Sequence, residues 1–190
     1  MKDIEIEIQV RISEDEKLKA FLAEKARFAS ENYQKDQYFT PAHRNFIEPK
    51  PVKEWLRLRE SGENSITYKN WHYTAEGKGT HCDEYESSIG DIEQLQKIFQ
   101  ALNIKPVITV EKTRKTWLYE NYEIALDHVT GLGDFVEIEY KSQDTSVNPE
   151  KVTGEMIAFL KNIGCGKIEA NNVGYPFMLL YPNEVTFEEM

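Results

Sequence analysis

From Ile4 to Ile12, apolar and polar side chains alternate over nine positions, which predicts a strand with one apolar and one polar face. The alternation stops at Ser13. Ser13 with Glu16 forms a capping box ahead of Leu18, Phe21 and Leu22 at helical spacing, predicting an amphipathic helix over 14–26. Asp91 with Gln94 repeats the device before the stripe Ile92, Leu95, Ile98, Phe99 and Leu102. Asn148 and Pro149 open a third helix, with Val152, Met156, Phe159, Leu160 and Ile163 inward and Gly164 as its stop. Between the helices, strand-like runs fall at 33–39, 54–60, 65–71, 81–87, 107–118, 123–129 and 134–141, making eight strands with the first.

Turn residues separate several of these runs: Pro49 and Pro51, Gly62 with Asn64, Gly77 with Gly79, and Gly131 with Gly133. Many adjacent strands and few helices predict an α+β fold, mainly β. The expected form is an eight-stranded antiparallel sheet or closed barrel rather than a doubly wound parallel sheet. The chain has 190 residues, and no linker, repeat or low-complexity tract divides it, so residues 1–190 are expected to form a single domain. Its 33 acidic and 23 basic residues give a formal charge of −10, which argues against nucleic-acid and membrane partners, because both reward Lys and Arg contacts. The first 30 residues carry no export signal, and no apolar run approaches the ~20 residues of a membrane span, so a cytoplasmic location is expected. Cys82 and Cys165, far apart and outside any C-x-x-C pair, fit reduced thiols.

The informative feature is where the strand charges fall. Read with period two, they are Glu5 and Glu7; Arg57 and Arg59; Lys69; Glu84 and Glu86; Lys112 and Arg114; Asp127; and Glu137 and Glu139. On any one strand such a pair is an ordinary solvated face. Taken together they mean more, because three amphipathic helices need an apolar surface. If they cover the outside of a barrel, the charged faces line its interior. Acids and bases buried together need a charged ligand to complete them. Carboxylates suit Mg²⁺ or Mn²⁺ and the basic pairs clamp phosphate oxygens, so a triphosphate bridged by a divalent metal satisfies both sets.

This ordered series resembles the CYTH superfamily, the triphosphate tunnel metalloenzymes, which includes class IV adenylyl cyclases, thiamine triphosphatases and inorganic triphosphatases. The resemblance runs from about Ile4 to Lys141 and more loosely to Leu180. Gln34-x-Asp36-x-Tyr38-Phe39 with Pro41, and the run from Leu132 to Glu139, look most like the class IV cyclase branch. The resemblance implies an eight-stranded tunnel and dependence on Mg²⁺ or Mn²⁺. It implies Glu5, Glu7, Asp127, Glu137 and Glu139 as metal ligands or groups that orient metal-bound water. Arg57, Arg59, Lys69, Lys112 and Arg114 would hold the phosphates, with Glu84 and Glu86 among them.

The family pattern on the first strand is Glu-x-Glu-x-Lys, and here the third position is Gln9. Glu5, Glu7, Gln9 and Arg11 therefore form the candidate catalytic strand, with Arg11 on the same face as a replacement for the missing charge. The activity expected is adenylyl cyclase-like conversion of ATP to cyclic AMP and pyrophosphate. The alternatives are hydrolysis of thiamine triphosphate or inorganic triphosphate, and binding of a nucleotide or polyphosphate without turnover. His72, His81, Cys82 and Asp83 match no common zinc spacing, and Gly77-Lys78-Gly79 reads as a hairpin turn. Trp55, Trp71 and Trp117 are expected in packing roles, with Tyr38 or Phe39 near adenine. The loop with His43 and Arg44 either caps the tunnel or only connects strands. Exposed edges in an incompletely closed barrel would favour a homodimer.

Overall fold

The computed structural model describes residues 6–73, 79–141, 147–171 and 173–190, with the side chains of 79–81 outside that description. Its strands are β1 (Glu7–Ile12), β2 (Arg27–Pro41), β3 (Glu54–Glu60), β4 (Ser65–Tyr73), β5 (Gly79–Ser88), β6 (Ile104–Tyr119), β7 (Tyr122–Val129), β8 (Gly133–Tyr140), β9 (Ile168–Ala170) and β10 (Glu188–Glu189). The helices are α1 (Asp15–Lys25), α2 (Ile92–Ala101), α3 (Pro149–Ile163) and α4 (Tyr175–Leu180). None is long and apolar enough to cross a membrane. All strands join one antiparallel sheet in the order β10-β9-β1-β8-β7-β6-β2-β3-β4-β5.

The expected eight-stranded closed barrel is replaced by a ten-stranded sheet whose two edges, among the described residues, do not pair. The reason lies at β1. Its second edge is taken by β9 from Val10 to Ile12, and β9 in turn carries β10. The sheet is nevertheless strongly curved. Lys69 on β4 helps to lower the pKa of Glu137 on β8, although five strand spacings separate them, ~24 Å in a flat sheet. β2 and β6, the two longest strands, pair with register shifts at Phe28/Ser30 and Tyr38/Phe39, irregularities of the kind that bend a strand pair.

The apolar face is the outer one, as the alternation predicts. Ile6, Ile8 and Val10 pack with Ile124, Val136 and Ile138 against Leu18 and Leu22 of α1 and Val152, Met156 and Leu160 of α3. Phe99 of α2 seals a second outer cluster with Phe39 and Leu58. The caps of α2 and α3 form as expected: Asp91 accepts from the Gln94 amide, Asn148 from the Lys151 amide, and Gly164 ends α3 at φ 84°. The box predicted at Ser13 does not form. The Ser13 hydroxyl instead accepts from the Lys167 amide at 2.8 Å, and α1 begins after an uncapped Glu14. Gly131 and Gly133 take positive φ in the β7–β8 turn, and both cysteines are free and buried.

Candidate active site

Alternation from the outward residues places the polar side chains of eight strands on the concave face. Register then sets which of them meet: Arg57 and Arg59 of β3 lie across from Tyr38 and Asp36, Gln34 from Lys112, Arg114 from Asp127, and Lys69 from Glu84. On β1, Glu7 stands opposite Glu139 and Gln9 opposite Glu137. Glu5 lies outside the described residues.

Two buried aspartates organise the cations. Asp36 accepts two hydrogen bonds from Arg59, from Nε at 2.7 Å and Nη2 at 2.6 Å, with Arg57 Nη1 3.7 Å away. Asp127 grips Arg114 by the same edge, from Nε at 2.7 Å and Nη2 at 2.6 Å, and also accepts from Lys112 Nζ at 3.1 Å and the Tyr175 hydroxyl at 3.0 Å. Three of those four bonds fall on Oδ2 and one on Oδ1. Glu137 accepts from Arg114 Nη2 at 2.8 Å. Arg57 donates to Thr67 at 2.8 Å and Glu86 at 3.3 Å, and Lys69 meets Glu84 at 3.1 Å.

The electrostatics follow from this interleaving. Burial raises the pKa of Glu137, but Arg114 and Lys112 more than offset it and hold the carboxyl at about 2. Burial is likewise overcome at Asp36, where Arg59 and Arg57 keep the acid below its ordinary range. Lys112 moves the other way: burial and then the Arg114 charge push its pKa down against the attraction of Glu137 and Asp127.

Arg11 is committed elsewhere. Its guanidinium lies between the rings of Phe135 and Phe187, 4.7 and 4.2 Å from their centroids, and donates to the Leu132 carbonyl at 2.9 Å. Nearby, α4 inserts Tyr175 and Met178 against Val110, Val129 and Phe135, so this end of the concave face is filled with apolar side chains. The loop that carries His43 and Arg44 packs on the outer side through Arg44 to Glu54, and reaches α4 through Lys50, which lies 4.7 Å from the Phe177 ring.

Among the described residues no three His, Cys, Asp or Glu side chains converge to hold a metal. The donor set still fits one. Mg²⁺ takes one or two carboxylates and completes its shell with water and substrate phosphate, and Glu7, Glu137 and Glu139 offer hard oxygens on neighbouring strands. His72 pairs with Asp83 at 2.7 Å, while the His81 side chain lies outside the described residues. Of the tryptophans, Trp117 packs in the outer core as expected, but Trp55 meets Tyr38 edge-on at 5.5 Å on the site face, and Phe39 belongs to the outer core.

Three residues lie in stretches that resemble the family, but neither alternation nor spacing assigns them to the site. Asp36 and Gln34 sit in a stretch of β2 whose two faces are both polar, so alternation does not single them out. Tyr175 lies in a six-residue helix too short for a periodic signal.

Comparison with known proteins bears on the family and the fold. Residues 3–168 match the family model described as the CYTH domain. A Methanocaldococcus jannaschii protein bearing a provisional adenylate cyclase name is 34% identical over 166 residues, 86% of this chain and 91% of that one. The structure of the PH1819 protein from Pyrococcus horikoshii matches with a TM-score of 0.76 at 27% identity, covering 94% of this chain and 99% of that one. A Hippeastrum protein, HpAC1, described as an adenylyl cyclase candidate with dominant triphosphatase activity, shares the fold with a TM-score of 0.69 at 19% identity, covering 96% of this chain and 97% of that one.

Proposed function

We propose a function from the premise that this chain belongs to the CYTH domain family: metal-dependent conversion of a nucleoside triphosphate on the concave face, with adenylyl cyclase-like chemistry. The observation that carries it is the pairing of buried cations with an excess of acids. Arg57, Arg59, Lys69, Lys112 and Arg114 are outnumbered on their own face by Glu7, Asp36, Glu84, Glu86, Asp127, Glu137 and Glu139. A polyanion alone would meet net repulsion there, whereas one that enters with divalent metal is attracted by both sets. The relative from Methanocaldococcus jannaschii, similar over most of both chains, supports the cyclase reading.

In this reading the 3′-hydroxyl oxygen of ATP bonds to the α-phosphorus as its proton passes to water, and the bond from the α-phosphorus to the bridging oxygen breaks with its electron pair leaving on pyrophosphate. Arg57, Arg59 and Lys69 hold one part of the phosphate chain, while Lys112 and Arg114 stabilise charge that builds on its other part. Glu7, Glu137 and Glu139 would hold the metal, joined by Glu5, which stands two positions before Glu7 in the sequence. A bound divalent metal supplies polarisation of the phosphoryl oxygens and neutralises their charge. Tyr38 and Trp55 offer an aromatic contact for the organic part. Cyclisation is favoured over hydrolysis because Gln9 carries no charge and Arg11 is held by Phe135, Phe187 and Leu132.

The test is incubation with Mg²⁺ or Mn²⁺ and, separately, ATP, GTP, thiamine triphosphate and inorganic triphosphate, followed by phosphorus NMR. Cyclic AMP with pyrophosphate is the expected result. Orthophosphate from the terminal position would replace the cyclase reading with a triphosphatase, and ligand shifts without product would replace it with a binding protein.

A further inference from the structure

Building on the triphosphate reading above, we propose that Asp36 is a positioning residue that holds Arg57 and Arg59 as a preformed clamp for the phosphate chain. Asp36 is only 3% exposed, and both its oxygens accept from Arg59, so it is placed to act through the arginines rather than on the substrate. The grip takes the Nε and Nη2 edge of Arg59 and leaves its Nη1 donors for another acceptor. Arg57 is held at its opposite ends: Nη2 donates to Thr67 and Glu86, and Nη1 lies near Asp36. Its Nε is buried and, among the described residues, has no acceptor, as is also true in reverse of Gln34 Oε1 two positions from Asp36. Hydrogen bonding around Asp36 is therefore incomplete at one donor that suits a phosphate oxygen, Arg57 Nε, and at one acceptor that does not, Gln34 Oε1.

Charge and entropy both require such a residue. Two neighbouring guanidinium groups repel, and the Asp36 carboxylate offsets that repulsion where solvent does not. Arginine rotamers ordered on folding need not be ordered on binding, so the clamp acts on substrate affinity more than on the bond-breaking step. The same construction recurs at Asp127, which holds Arg114 by the same edge together with Lys112. β2 and β7, which carry the two aspartates, are the two partners of β6. A phosphate chain can thus bridge two clamps built alike.

Asp36→Asn, which keeps the shape and removes the charge, tests this. Its expected effect is a rise of about 10–100-fold in KM for the triphosphate substrate, the range for residues that orient a binding group, with kcat changed less than about threefold. Asp36→Glu should recover part of the loss. Independently of turnover, the Arg59 Nε–H proton should exchange slowly in the wild-type protein and rapidly in Asp36→Asn by nitrogen-15 NMR. A wild-type KM in Asp36→Asn, a fall confined to kcat, or an unchanged Arg59 signal would each overturn the proposal. Should Asp36→Asn not fold, the KM of Asp36→Glu, expected to lie several-fold above wild type, decides instead, with a wild-type value overturning it. Absence of both turnover and triphosphate binding in the wild-type protein would sink the triphosphate reading, and the Arg59 signal would then judge the positioning role alone.

Discussion

Gln9 stands opposite Glu137 across the β1–β8 pair, and the cation two residues on, Arg11, is clasped by two aromatic rings and a carbonyl. The charge missing from the family pattern is thus not supplied by Arg11 in this structure. Gln9→Lys should set an ammonium beside Glu137 and raise release of terminal phosphate by about tenfold or more, the scale of one well-placed charge. An unchanged rate would show that another group already fills that role. Glu137 makes a second prediction, on stability. Its folded pKa, about 2, lies below the ordinary 4.5, so its ionised form stabilises the fold above about pH 4.5, and that contribution is lost as pH falls toward 2. In Glu137→Gln the acid limb of stability against pH, followed by urea midpoints without metal, should be flatter over that window. An acid limb as steep as wild type would assign the effect to Asp36 and its arginines, whose pKa is depressed in the same direction.

At the scale of elements, the start of α1 is held by a segment far along the chain. The Ser13 amide donates to the Lys167 carbonyl, the Glu14 amide to the Cys165 carbonyl, and the Ser13 hydroxyl receives the Lys167 amide. Gly166 makes this possible: its φ is +73°, and a Cβ there would lie 2.2 Å from Ser13 Oγ and 2.7 Å from Glu14 Cγ. Gly166→Ala should therefore lower stability by about 2–3 kcal/mol, from left-handed strain and a displaced turn together, read from urea unfolding. A loss below about 0.5 kcal/mol would mean that the turn relaxes freely. The predicted capping box failed for this reason, since a local pattern was overridden by a partner 154 residues away. The caps at Asp91 and Asn148 are made with amides of their own helices, Gln94 and Lys151. Tyr175 shows how a short element serves the site: Tyr175→Phe removes one neutral donor from the Asp127 carboxylate and should cost about 1.5–3 kcal/mol.

For the whole molecule, the excess of acids on the concave face ties anion binding to metal. Triphosphate with Mg²⁺ at about 100 times its Kd should raise Tm by roughly 5–10 °C, since such saturation adds ~2.7 kcal/mol in a domain of this size. The same triphosphate with chelator should raise it by less than about 2 °C. An equal rise without metal would mean that the cations bind the phosphates unaided. The alternation of charge along the strands was enough to determine which face is apolar and which acids and bases of β1 and of β3 to β8 share a surface, because period-two geometry sends alternate residues to opposite sides, whereas the first part of β2 and the short β9 and β10 carry no such signal. The same local rules set the helix caps at Asp91 and Asn148. Tertiary structure alone decided how far the sheet closes, because the second edge of β1 could pair with any strand and β9 took it. It alone also decided that Arg11 serves the aromatic end and that Asp36 and Asp127 hold the basic pairs, because those contacts join strands whose register no local pattern encodes.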